Sequence, residues 1–220
     1  MSDSLIPRAV IFDWDNTLVD SWGAIGEAIN FVRARYGLQT WTPDEIIANC
    51  TRSARESFPD WFGDKWPEAW DIYYAEFDKV RTRIGISPMN GAVELLAWLK
   101  ASHIPAMVVS NKSGDYLRQE CSQLGWDGYF EALAGAHDAP RDKPAREHAD
   151  HALKLAGILP GDDVWFVGDS EADMVCARNA GCTPVLVGHK NSAGKWGSER
   201  YFGDCAQLLA LLSRGRRAIA

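Results

Sequence analysis

The sequence predicts an α/β fold, a doubly wound parallel sheet of Rossmann-like type with an inserted α-helical domain. Three observations carry that expectation. The short aliphatic run Ala9-Val10-Ile11-Phe12 barely alternates, as a strand buried on both faces of a parallel sheet does. From Pro88 onward, strand-like runs alternate with helical spacing. Between them lies the stretch 20–86, in which only helical patterns occur.

The elements follow in order. After the first strand, Trp22, Ile25, Ile29, Val32 and Tyr36 fall at helical spacing, and Gly37 stops the helix. Thr42 opens the next helix, with Pro43 at its first position, Glu45 closing a capping box and Trp41 able to staple onto Ile46. A third helix runs from about Trp66 to Arg83, with Trp70, Tyr73, Tyr74, Phe77 and Val80 on one face. Beyond Pro88 come a helix through Ala92, Leu95, Leu96 and Leu99, a strand over Ile104–Val109 and a helix through Leu117, Cys121 and Leu124. A weaker strand near Glu131–Ala136 precedes a helix over Pro144–Ala156, the strand Val164–Val167, a helix over Glu171–Ala180 and the strand Pro184–Val187. The expected division is a core of 1–19 and 87–220 with a helical insertion at 20–86.

Composition narrows the function classes. At 220 residues with 46% hydrophobic content the chain can bury a core and is too apolar for disorder. Net charge is −7, and segment 20–87 holds 8 basic against 11 acidic residues, so no basic half is hidden. Nucleic acid and anionic membranes are therefore not expected partners. Five cysteines without a Cys-x-x-Cys pair read as free thiols of a reducing compartment. With no apolar run of spanning length and no charged-then-apolar leader pattern, a cytoplasmic protein is expected. Monomer and dimer both stay open.

Polar residues stand at the carboxyl end of several strands. Asp13 and Asp15 follow the first, Ser110 and Asn111 the strand ending at Val109, and Asp169 and Asp173 the strand ending at Val167; Lys143 opens the helix after the third. In a parallel sheet these ends share one edge, where such folds bind ligands. Asp13 and Asp15, two apart, would converge there, and paired carboxylates are costly unless a cation or shared proton relieves them. Each residue also has an ordinary reading: turn formers and caps for Asp13, Asp15, Ser110 and Asn111, a solvated lysine at 143, a helix N-terminal charge pair for Asp169 and Asp173.

In company, the residues resemble a known pattern. Asp13/Asp15/Thr17, Ser110, Lys143 and Gly168/Asp169/Asp173 appear in the order and context of the four motifs of the haloacid-dehalogenase-like superfamily, in the branch similar to phosphoglycolate phosphatases. Asn16 stands where glycine is usual, a small departure because Asn tolerates left-handed turns.

The resemblance implies a phosphatase that hydrolyses a small phosphorylated metabolite through an aspartyl-phosphate, with Asp13 as nucleophile and Asp15 as general acid and base. It implies Mg2+ held by Asp13, the Asp15 main-chain carbonyl and Asp169, with Asp173 in support. Ser110, Asn111 and Lys143 would hold the phosphoryl oxygens, and Thr17 would order the turn beside them. The inserted helices would form a cap, where Arg52 or Arg55 could grip a second anionic group or simply be solvated. A phosphomutase would use the same two aspartates, and a non-catalytic binding protein of the same fold is a further alternative. Asp15 argues against a dehalogenase. His148 and His151, at i, i+3 spacing, read as surface-helix residues because no further metal ligand has matching spacing.

Overall fold

In the computed structural model, which describes residues 6–50, 52, 54–188 and 194–217, the chain divides into two compact units: Met1–Val19 with Pro88–Ala220, and Asp20–Ser87. Chain order begins β1 (Ala9–Phe12), β2 (Val19–Asp20), α1 (Trp22–Arg35), α2 (Pro43–Asn49), α3 (Ala54–Phe62), α4 (Trp66–Ile84) and β3 (Ser87–Pro88). It continues α5 (Ala92–Ala101), β4 (Ala106–Ser113), α6 (Gly114–Gln123), β5 (Ala132–Ala136), α7 (Arg146–Leu155) and β6 (Val164–Gly168). The last elements are α8 (Glu171–Ala180), β7 (Thr183–Val187), β8 (Arg200–Phe202) and α9 (Cys205–Arg217).

The larger unit is built on a six-stranded sheet of order β5-β4-β1-β6-β7-β8, parallel throughout. The chain steps from β1 outward through β4 and β5, then returns to the other side of β1 for β6, β7 and β8. That reversal beside β1 is the topological switch point, which places ligand chemistry at the carboxyl ends of β1, β4 and β6. Phe12, the last residue of β1, pairs with Val108 on one side and Val167 on the other, so the residues that follow on all three strands lie along one edge.

Burial explains the unbroken apolar runs. Ala9, Ile11, Met107, Val109, Val164 and Phe166 face Ala149, Ala152 and Leu153 of α7 and Cys176, Ala177 and Ala180 of α8. The alternate residues Val10, Phe12, Val108 and Val167 are equally buried on the opposite face. A strand with no solvent face has no polar alternation to show.

The smaller unit is all helical between its ends. α1 packs along α4, and Ile29, Val32, Ile46, Phe58 and Ala69 form its buried centre. Phe58 touches the rings of Trp61, Phe62, Trp70 and Tyr73 at centroid separations of 5.6, 5.2, 5.7 and 5.3 Å. The tryptophans therefore serve a small core that needs bulky residues. Thr42 and Glu45 form the expected capping box.

Several elements depart from expectation. β4 runs on through Ser110, Asn111 and Lys112 to Ser113, and its register with β5 shifts between Val109 and Ser113. Backbone pairing does not need apolar side chains, so the end of the apolar run did not mark the end of the strand. α3 was hidden by Pro59 inside it, while β8 and α9 had no expectation at all. Lys143 does not open a helix: α7 begins at Arg146, after the cis Lys143–Pro144 bond. His148 is fully buried, which corrects the surface-helix reading. Among the described residues, no helix is long and apolar enough to cross a membrane.

Candidate active site

The segment after β1 stays tied to the sheet. Asp13 N donates to Val167 O at 2.8 Å, and the backbone then turns, with Leu18 N and Val19 N donating to Trp14 O at 2.9 and 3.1 Å. Asn16 takes φ +63°, the left-handed conformation for which Asn is among the better side chains. Thr17 Oγ1 lies 3.4 Å from Asp13 Oδ2, inside the turn.

Three of the predicted acids meet. Carboxylate oxygens of Asp13, Asp169 and Asp173 lie within 4.8 Å of one another, all three residues buried. Lys143, also buried, sets its ammonium between two of them, 2.5 Å from Asp13 Oδ1 and 2.7 Å from Asp173 Oδ1. Asp173 has a second task. Its other oxygen accepts from Ser170 N at 3.0 Å and Ser170 Oγ at 2.6 Å, closing the capping box of α8. One Asp173 side chain thus both pairs with Lys143 and caps α8. Gly168 makes this possible, since a Cβ there would come within 2.3 Å of Asp173 Cγ.

The electrostatics follow from one cation facing three buried acids. Burial pushes the Asp13 carboxyl well above its ordinary range; Lys143 pulls it down, and Asp173 and Asp169 push it further up. For Lys143, burial lowers the pKa, but Asp13 and Asp173 more than offset it and the lysine stays charged. Burial holds the neighbouring Cys176 thiol protonated, at about 12, so it is no nucleophile at neutral pH.

The remaining predicted residues are placed less simply. Asn111 spends both ends of its amide on the Lys143 backbone: Nδ2 donates to Lys143 O at 3.1 Å and Oδ1 accepts from Lys143 N at 3.0 Å. This ties it to the lysine rather than leaving it free for a phosphate. Ser110 is buried and its Oγ accepts from Lys112 N at 3.2 Å. The carboxylate of Asp15 stands outside the three-acid group and makes a 2.7 Å ion pair with Lys112 Nζ. The expected convergence of Asp13 and Asp15 assumed continuing strand geometry, but β1 ends at Phe12. Lys112 also pairs with Glu120 at 2.7 Å, and Glu120 accepts from Trp14 Nε1 at 2.7 Å. Sequence reasoning missed Lys112 and Glu120; the available signal was that Lys112 directly follows Ser110 and Asn111.

In the helical unit, Arg52 pairs with Asp60 at 2.7 Å, both well exposed, so it is not a free anion grip. Arg55 is the second residue of α3 and is half-buried. Thr51 and Ser53, which flank Arg52 in the expected loop, lie outside the described residues.

Comparison with known proteins finds matches along most of the chain. The family model described as haloacid dehalogenase-like hydrolase matches residues 10–187. A phosphoglycolate phosphatase of Chromobacterium violaceum is 28% identical over 94% of this chain and 97% of its own length. One from Yersinia pestis is 30% identical over 80% of this chain and 78% of its own. Among solved structures, a Had-superfamily hydrolase from Ehrlichia chaffeensis superposes with a TM-score of 0.66 at 28% identity, covering 98% of both chains. CbbY from Rhodobacter sphaeroides, solved in complex with phosphate, gives a TM-score of 0.79 over 94% of this chain and all of that one; at 20% identity it shows the fold alone.

Proposed function

The chain belongs to the haloacid dehalogenase-like hydrolase family, and from that membership we propose that it is a Mg2+-dependent phosphatase of a small phosphorylated metabolite. The observation that carries this reading is the meeting of Asp13, Asp169 and Asp173 around Lys143 at the switch point of the sheet.

The donor set fits a hard cation. Three buried carboxylates with one lysine leave negative charge that a divalent ion neutralises, and a few oxygen donors suit Mg2+. Asp13, Asp169 and the Asp15 main-chain carbonyl would hold it. Asp173 would support the ion from beside them, while its two oxygens fix Lys143 and the start of α8. When bound, the ion supplies charge neutralisation at the phosphoryl oxygens.

The residues of the chain then divide the work. Asp13 attacks phosphorus with one carboxylate oxygen, the bond to the ester oxygen breaks, and the alcohol leaves with a proton from Asp15. A water attacks the aspartyl-phosphate, Asp15 takes the proton it releases, and the Asp13–phosphorus bond breaks to free inorganic phosphate. Lys143 and Ser110 stabilise the phosphoryl oxygens, and Asn111 holds Lys143 in place. The curated relatives named above are phosphoglycolate phosphatases, so 2-phosphoglycolate heads the candidate substrates, followed by sugar phosphates. The helical unit is proposed as the cap that sets the choice.

The test is phosphate release from a panel of 2-phosphoglycolate, sugar phosphates and nucleoside monophosphates, with and without EDTA, for the wild type and Asp13→Asn. Turnover of at least one ester that EDTA stops, Mg2+ restores and Asp13→Asn abolishes is the expected result. No turnover of any ester, or full turnover by Asp13→Asn, would overturn the reading.

A further inference from the structure

Resting on that reading, we propose that Lys112 is a positioning residue for the second half of the reaction: it holds the Asp15 carboxylate where it accepts the proton of the attacking water. Lys112 stands in a chain of contacts that joins Asp15, Glu120 and Trp14.

Lys112 is almost wholly buried and has two acids at 2.7 Å, Asp15 and Glu120. Desolvating a lysine is costly unless its partners are well placed. A structural pair would need only one acid. The second, Asp15, belongs to the segment that carries the nucleophile.

The geometry shows how the lysine is aimed. Lys112 lies in the part of β4 where the register against β5 shifts; irregularities of this kind redirect side chains beside active sites. Glu120, 1% exposed on α6, holds the same ammonium at 2.7 Å. Glu120 is fixed in turn by the Trp14 indole N–H at 2.7 Å, and Trp14 is fully buried against Trp126 and Phe130 at ring separations of 5.6 and 6.2 Å. Trp14 sits between Asp13 and Asp15 in sequence, so the chain of contacts begins and ends on the same short segment. Asp15 is thereby held by its own lysine, apart from the three acids gathered at Lys143.

Pre-steady-state release of p-nitrophenolate from p-nitrophenyl phosphate separates the two halves, because that leaving group departs without a proton. Lys112→Met is expected to show a burst of about one equivalent per enzyme at close to the wild-type rate, followed by a steady rate lowered roughly 10- to 100-fold. Lys112→Arg, which keeps the charge, should recover part of the steady rate. Because Lys112→Met leaves Glu120 without its cation, the double variant Lys112→Met/Glu120→Gln is measured beside it; the new amide can still accept from Trp14. A steady rate within twofold of wild type in a folded variant overturns the proposal. So does an equal loss in burst and steady phases, or a raised KM with unchanged kcat, which would make Lys112 a phosphate ligand. Failure of both variants to fold would make it structural and overturn the proposal as well. Wild-type turnover that Asp13→Asn abolishes keeps the phosphatase reading intact in all these cases, and its absence overturns both.

Discussion

The Lys143 ammonium lies 2.5 Å from Asp13 Oδ1, deep enough that both side chains are at most 8% exposed. It balances part of the charge of three acids that the fold forces together. Breaking a buried pair by removing one partner costs about 3–5 kcal/mol, because the other is left unsolvated. Lys143→Met should therefore lower both stability and kcat. Urea denaturation at pH 7 is expected to show a loss of about 3 kcal/mol, with kcat down by at least about 100-fold. Adding Asp173→Asn should return part of the stability but none of the activity. A single variant as stable as wild type would mean that the pair does not balance the cluster.

Gly168 and Asp173 make a second prediction. A methyl group at 168 would meet Asp173 Cγ at 2.3 Å, Cβ at 2.4 Å and Oδ2 at 2.5 Å. Asp173 cannot give way without losing either Lys143 or the α8 cap. Gly168→Ala should cost about 1–3 kcal/mol by overpacking and lower kcat sharply, measured by thermal unfolding and phosphate release. Wild-type activity in this variant would show that Asp173 has freedom to move.

These two positions also show what could be read in advance. The strands β1, β6 and β7 were legible because burial on both faces leaves an unbroken apolar run, and Asp13, Asp169 and Asp173 because each stands just beyond such a run. α3 was not legible, since Pro59 breaks the helical signature that Phe58 and Trp61 would otherwise carry. Lys112 and Glu120 were missed for a different reason. The position of Lys112 directly after Asn111 was a local signal, but its pairing with Glu120 joins the irregular end of β4 to a helix, and local spacing does not encode that contact. His148 was misread because a histidine on a helix declares its face only once the sheet beneath α7 is known.

Asn111 yields a third prediction. Its amide clamps the Lys143 main chain from both sides, at 3.1 and 3.0 Å, across 32 residues of sequence. Asn111→Ala removes both bonds while leaving the lysine in the chain. A misplaced catalytic group of this kind can cost about 100-fold, so kcat is expected to fall by roughly 10- to 100-fold with most of the stability retained. Asn111→Asp would offer only acceptors, losing the bond to Lys143 O while keeping the one from Lys143 N. It should lie between wild type and Asn111→Ala in kcat. An Asn111→Ala variant with unchanged kcat would remove the clamp from the mechanism.

His148 connects the same region to pH. Its Nε2–H donates to Gly135 O at 3.0 Å, while Nδ1 is buried with no hydrogen-bond partner among the described residues. Burial lowers its pKa to about 4, helped by the charge of Lys143 and opposed by Asp142, the Gly135 bond and Asp138. The unfolded imidazole titrates near 6.5. Between those values the unfolded chain binds the proton that the folded one refuses, so this contribution to stability is present above about pH 6.5 and is lost as pH falls toward 4. The full effect amounts to about 3 kcal/mol, and about 2 kcal/mol of it should be gone by pH 5. His148→Gln keeps a donor for Gly135 and has nothing to titrate. Urea titrations of both proteins at pH 7 and pH 5 should therefore show the wild type losing more stability than the variant by that amount. Equal losses would mean that the folded imidazole accepts its proton, and that burial around α7 is looser than the packing of Ala149, Ala152 and Leu153 against the sheet requires.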